Sequence, residues 1–265
     1  MSVSVKSTVL ASALLASNFT ALAHVPYLNP ASFEPVRGGW VSLDAAFADR
    51  FFVPEAAFNN SSFTVRTPEG QTTPLLAVHY GQTRATAEHK IEADGTYRFS
   101  TGLRYGAVFH TYEHNGERKS SRDENFVLPE GAKSIAHFQA VTRAETYVSK
   151  GAPDQAAVSA TNEALELAFL THPNDLYSDS TVRARLLFNG APLASQEVKL
   201  YQVVKGADDE KVTASLNSDS DGVISFQPQH AGTYFLVSRY RTAAPDTASV
   251  PTYSYTYSVV LEVTE

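Results

Sequence analysis

Short apolar–polar alternations, each closed by a turn, recur along most of this 265-residue chain. Residues 181–188 alternate cleanly and stop at Asn189-Gly190. Residues 197–203, 223–226 (after Asp219-Ser220-Asp221-Gly222), 232–237 and 254–263 repeat the pattern. A period of two puts successive side chains on opposite faces, which suits half-buried strands and no helix. The first half follows the same plan at 40–47, 62–66, 75–80, 85–91, 96–100 and 105–114, with turns at Pro68-Glu69-Gly70, Asp94-Gly95 and Asn115-Gly116. Short strands at regular spacing with such turns indicate antiparallel sandwiches. The expected fold is all-β: two tandem immunoglobulin-like β-sandwiches at 24–150 and 151–265, divided at Lys150-Gly151-Ala152-Pro153-Asp154. Two stretches are less defined. Residues 134–148 fit helix or strand, and the charged 117–125 reads as an exposed arm.

The amino-terminal segment is a targeting signal. Lys6 precedes the apolar run at 9–16, and Ala21-Leu22-Ala23 offers a small-x-small exit. That order is the pattern of a secretory signal peptide cleaved after Ala23. Removing it leaves 242 residues, takes the formal charge from −7 to −8 and makes His24 the new terminus. The expected location is the periplasm. No later apolar run is long enough to span a membrane. The acidic, unclustered charge excludes nucleic acid as a partner.

The chain has no Cys, and its only Met is Met1. A metal site in the exported protein must therefore use His, carboxylates, Tyr or backbone groups. Thiolate and thioether sites, including a blue-copper centre, are excluded.

A terminal His has its own chemistry. A free α-amine and the Nδ1 of the same imidazole close one chelate ring. Free groups of these kinds titrate near ~8 and ~6.5, so few protons must be displaced at neutral pH. Pro26 removes the alternative copper–nickel motif that needs His in third place. A further His brought in by the fold would complete a three-nitrogen site of the histidine-brace kind, suited to Cu, Ni or Co. His110 and His114 are the candidates, on one strand face that ends at Asn115-Gly116. Positions i and i+4 on a strand lie ~13 Å apart, so one of them is expected to meet His24. Asp44 or Asp49 is a possible oxygen ligand. His79 and His89 share parity with apolar neighbours and read as packed residues; His137, His172 and His230 read as structural or surface residues. Asp219 and Asp221 lack the spacing of a calcium loop and read as a turn.

Three segments carry a family resemblance: His24-Val25-Pro26-Tyr27-Leu28, Thr171-His172-Pro173-Asn174-Asp175-Leu176, and Phe188-Asn189-Gly190-Ala191-Pro192-Leu193 with Glu197-Val198. Together they resemble an uncharacterised family of exported bacterial proteins regarded as periplasmic components of nickel or cobalt uptake. Asp219-Ser220-Asp221-Gly222 and Ala231-Gly232-Thr233-Tyr234 resemble the carboxypeptidase-regulatory or transthyretin-like sandwich. The resemblance implies metal binding or delivery, with a membrane metal transporter or outer-membrane receptor as partner. Some relatives carry a transmembrane segment that docks on a transporter, and this chain has none. No G-x-S-x-G, H-E-x-x-H or Cys nucleophile is present, so a non-enzymatic role is expected. The rival expectation is a metal-free adhesion or scaffold module using aromatic surfaces such as Tyr253, Tyr255 and Tyr257.

Overall fold

The computed structural model describes residues 24–123, 125–203 and 213–265. The expected signal segment, residues 1–23, lies outside the described residues. Every regular element described is a strand. The first half holds β1 (Val25–Pro30), β2 (Trp40–Ala48), β3 (Ala56–Ala57), β4 (Thr64–Arg66), β5 (Thr72–Pro74), β6 (Ala77–Tyr80), β7 (Ala85–Lys90), β8 (Gly95–Ser100), β9 (Arg104–His114), β10 (Glu117–Ser121) and β11 (Lys133–Lys150). The second half holds β12 (Leu165–Phe169), β13 (Val182–Phe188), β14 (Ala191–Pro192), β15 (Glu197–Gln202), β16 (Ala214–Asn217), β17 (Val223–Phe226), β18 (Gly232–Ala243) and β19 (Thr252–Val263).

These strands form three sheets packed as sandwiches. One runs β1-β2-β7-β6 with β3 beside β2; another is β12-β13-β14 with β17 beside β13. The largest runs β16-β15-β18-β19-β11-β8-β4-β5, with β9 and β10 continuing from β11. The ambiguous stretch 134–148 is strand because both edges of β11 find partners. Its first part pairs with β9, its last part with β8, and its other edge runs parallel to β19. Part of the charged arm is the hairpin strand β10, with Asn115 at φ 56° and Gly116 at φ 76° in the turn. Positive φ at both positions is what a tight hairpin turn requires, and Asn-Gly supplies it.

Three apolar cores lie between the layers. One packs Leu167, Leu186 and Ile224 against Leu200, Leu236 and Val259. Another packs Leu28, Leu43 and Ala87 against Val65, Phe99 and Val148. The third joins the halves through Tyr27, Ala46 and Ala48 against Phe235, Val237 and Val260. Neighbouring residues therefore serve different cores: Ala45 and Ala46, or Val259 and Val260. Burial on both faces explains why 45–48 and 259–261 are apolar runs without alternation. The expected boundary near 150 falls at the end of β11. Across it the halves share the large sheet and the third core.

Residues 151–164 pack back onto this junction, with Ala157 and Val158 buried. Here His172 joins three segments. Its Nδ1 accepts the Asn174 N–H at 3.1 Å, and its Nε2 donates to the Asp154 carbonyl at 2.7 Å with Thr96 Oγ1 at 3.1 Å. The segment Thr171-His172-Pro173-Asn174 is therefore a structural clasp.

Candidate metal centre

Local pairing builds the site around His24. β1 and β2 are antiparallel with Val25 opposite Ala48, so the residue before β1 stands across from Asp49 just beyond β2. The chain then turns at 49–54 and returns as β3, where Phe47 faces Ala56. The Glu55 N–H donates to the Phe47 carbonyl at 3.1 Å, which carries Glu55 back beside Asp49. Aromatic packing anchors this turn. Phe51 sits 4.7 Å from the rings of Tyr201 and Phe235, and Phe52 lies edge-on to Tyr27 at 5.2 Å.

The result is a compact donor set. His24 Nδ1 lies 3.1 Å from Glu55 Oε2 and 3.4 Å from Asp49 Oδ1. All three ligand atoms fall within 4.8 Å of one another. Glu55 Oε1 accepts the Asp49 N–H at 3.2 Å, leaving Oε2 toward the histidine. Asp49 Oδ1 is buried and has no hydrogen-bond partner among the described residues. The side chains of His24 and Asp49 are each 42% exposed and that of Glu55 39%, so solvent reaches the group.

The spacing suits a common ion. With metal–ligand bonds of about 2.1 Å, ligands at 90–110° sit about 3.0–3.4 Å apart. The two contacts to Nδ1 fall in that range. Nδ1 is also the imidazole nitrogen able to chelate together with the α-amine of the same residue. After cleavage before His24, the set would be two nitrogens and two carboxylate oxygens, a borderline-hard set suited to divalent first-row metals.

The other sequence candidates fall elsewhere. Asp44 is engaged by Arg84 Nη1 at 3.0 Å. His110 stands opposite His137 in the β9–β11 ladder, with their rings stacked at 4.0 Å. Phe126 covers His110 at 4.7 Å. Burial and the neighbouring His110 push the His137 pKa down. These residues line a cavity of about 240 Å³ with Tyr112 and Ser134. His114 closes β9 opposite Glu117. Neither His110 nor His114 belongs to the group around His24. His89 packs edge-on to Phe99 at 5.7 Å, and burial pushes its pKa down. Tyr257 is fully buried, whereas Tyr253 and Tyr255 pack edge-on to one another at 6.0 Å.

Glu55 is the member of this group that sequence reasoning missed. Its place depends on the two-residue strand β3, which has no periodicity to read. The backbone signal available was the aromatic-rich turn between Asp49 and Glu55.

Several solved structures show a distant likeness to the chain. The D0–D1 domains of intimin are 10% identical, with 88% of this chain and 96% of that one covered at a TM-score of 0.21. The Escherichia coli adhesin FdeC is 12% identical, with 91% and 64% covered at 0.23. The FN1–FN3 domains of chicken CNTN1 are 8% identical, with 91% and 100% covered at 0.22. Likenesses this distant carry no argument about fold or activity. No curated protein matches the chain. Residues 21–242 match the domain of unknown function DUF4198, and the chain belongs to that family.

Proposed function

We propose that this is an exported, non-enzymatic metal-binding protein of the periplasm that holds Ni, Co or Cu at its processed amino terminus and serves their uptake or delivery. The observation that carries the reading is the convergence of Asp49 Oδ1 and Glu55 Oε2 on His24 Nδ1. Signal cleavage would add the α-amine beside that nitrogen. The two carboxylates would balance the charge of a divalent ion, and both nitrogens must be unprotonated to bind it. Affinity would therefore fall in acid. Exposure of the group suits exchange with a transporter or receptor. A third nitrogen from His110 or His114 would require β9 to approach the terminus. The carboxylate set needs no such movement.

The test is calorimetry with Ni(II), Co(II) and Cu(II) on protein beginning at His24, beside the same protein with one extra Gly before His24. One-to-one binding that collapses in the extended protein supports the terminal chelate. Equal, weak binding by both removes it and leaves the metal-free adhesion or scaffold role. Nickel binding kept by His24-initiated protein after Asp49→Asn with Glu55→Gln, but lost on adding His110→Ala, would favour the three-nitrogen site.

A further inference from the structure

A second polar site lies on the large sheet, on the face turned away from the core that holds Val65 and Phe99. Register places its members. Arg66 pairs with Thr72 on one side and Arg98 on the other; Ser100 pairs with Glu145. Arg143 lies two residues before Glu145 and faces the same way. The segment 159–165 covers them. Arg98 Nη1 donates to the Ser159 carbonyl at 3.2 Å, and Arg143 Nη2 to those of Glu163 and Leu165 at 3.0 and 2.8 Å.

Three features of this layer are unusual for a purely structural ion-pair network. Arg66 and Arg98 are direct cross-strand neighbours, an arrangement in which like charges repel. Arg66 Nε and Arg143 Nε are buried yet have no hydrogen-bond partner among the described residues. Buried donors of this kind are rarely left unpaired. A pocket of about 190 Å³, open to solvent, is lined by all three arginines.

Two carboxylates, Glu145 and Glu163, also line it, which leaves the three arginines one positive charge in excess. Glu145 is shared: Tyr257 OH donates to its Oε2 at 2.8 Å, Arg143 Nε is 3.7 Å from Oε1, and the Arg143 and Arg98 charges both act on it. Glu163 is 66% exposed and 3.9 Å from Arg143 Nη1. Glu166, behind the covering segment, accepts from the Thr161 N–H and OH and the Asn162 N–H. Guanidinium stays charged at any working pH, and its planar fork matches two oxygens of one anion.

We infer that the pocket lined by Arg66, Arg98 and Arg143 binds a small oxyanion: an inorganic phosphate or sulfate, or the carboxylate of a small organic acid. Thr64 and Thr72 line the cavity and would add neutral hydroxyl donors. The ligand would sit between Arg66 and Arg98 and relieve their repulsion. This site is independent of His24.

The test is calorimetry on the full exported chain with sodium phosphate, sodium sulfate and sodium acetate, each at ionic strength fixed with chloride. At least one probe should bind one-to-one. Phosphate or sulfate binding without acetate assigns an inorganic oxyanion; acetate binding assigns a carboxylate. Arg66→Gln should weaken binding about tenfold, the loss of one charge-assisted pair. Thr72→Glu, an exposed position on the cavity wall, should abolish binding while leaving the fold intact. His24→Ala should leave it unchanged. Failure of all three probes to bind folded wild-type protein would overturn the site. So would wild-type affinity in Arg66→Gln and Thr72→Glu.

Discussion

The His24 group and the Glu145 group both set histidine or arginine against carboxylates, but in opposite surroundings. His24, Asp49 and Glu55 stand at an open strand end. Arg143 and Glu145 have side chains only 4% and 2% exposed. Water solvates the first set whether or not it is paired, so these contacts add little stability and are available to a ligand. In the second set each charge depends on its partners, because separating them inside a low-dielectric layer is costly. Burial pushes the Glu145 carboxyl up. The Arg143 and Arg98 charges, with hydrogen bonds from Tyr257 and Ser100, outweigh burial and hold it below the ordinary range. One arrangement suits exchange, the other holds two halves of a protein together.

Removing one member from each should separate them most clearly. Glu145→Ala leaves Arg98 and Arg143 without their shared carboxylate and should cost about 3–5 kcal/mol in urea unfolding. His24→Ala should cost under ~0.5 kcal/mol by the same measurement. Equal losses would erase the distinction. His172→Ala should fall between, at about 1–3 kcal/mol, because the Asn174 N–H and Asp154 carbonyl lose their partner at the junction.

Acidity tests the same contrast. His89 and His137 have folded pKa values below the ordinary one, so the unfolded chain takes up protons first as pH falls below about 6.5. Stability should therefore begin to fall there. Glu145 is also depressed; its contribution is present above the unfolded value near ~4.3 and lost as pH falls through the folded one. A urea midpoint followed from pH 8 to pH 3 should show both declines. Glu145→Gln should flatten the lower one, and His89→Gln with His137→Gln the upper one. The smallest effect on the fold should come from Glu55→Gln: unfolding unchanged within ~0.5 kcal/mol, with nickel affinity at least about tenfold weaker by calorimetry.

Much of this architecture is legible in the sequence, for reasons that also explain the gaps. Strands such as β13 alternate because one face meets a core and the other meets water. Residues 45–48 and 259–261 lose that alternation because both of their faces are covered. The parallel pairing of β11 with β19 leaves no local mark, since it joins Gln139 to Tyr253 and Thr146 to Val260. His24 stands out through processing chemistry, and Asp49 through its place near a strand end. Glu55 depends on a tertiary return. The meeting of His110 with His137 depends on register across β9 and β11, where two irregularities shift the pairing. A shift of one residue reverses which face a side chain occupies, so spacing alone does not decide that contact.

The position of β19 has a consequence for how the protein is assembled. This strand lies downstream of all the others described, yet it is fourth in the eight-strand path and separates β18 from β11. Until residues 252–263 are available, the large sheet exists as two pieces with raw inner edges. Closing them requires contacts between positions more than a hundred residues apart, which makes the search slow. Exposed strand edges also attract other chains while the search lasts. Folding from one end to the other is thus ruled out for this sheet, and an incomplete chain lacks its middle instead of its margin. The sheet can close only when its distant centre strand has been made.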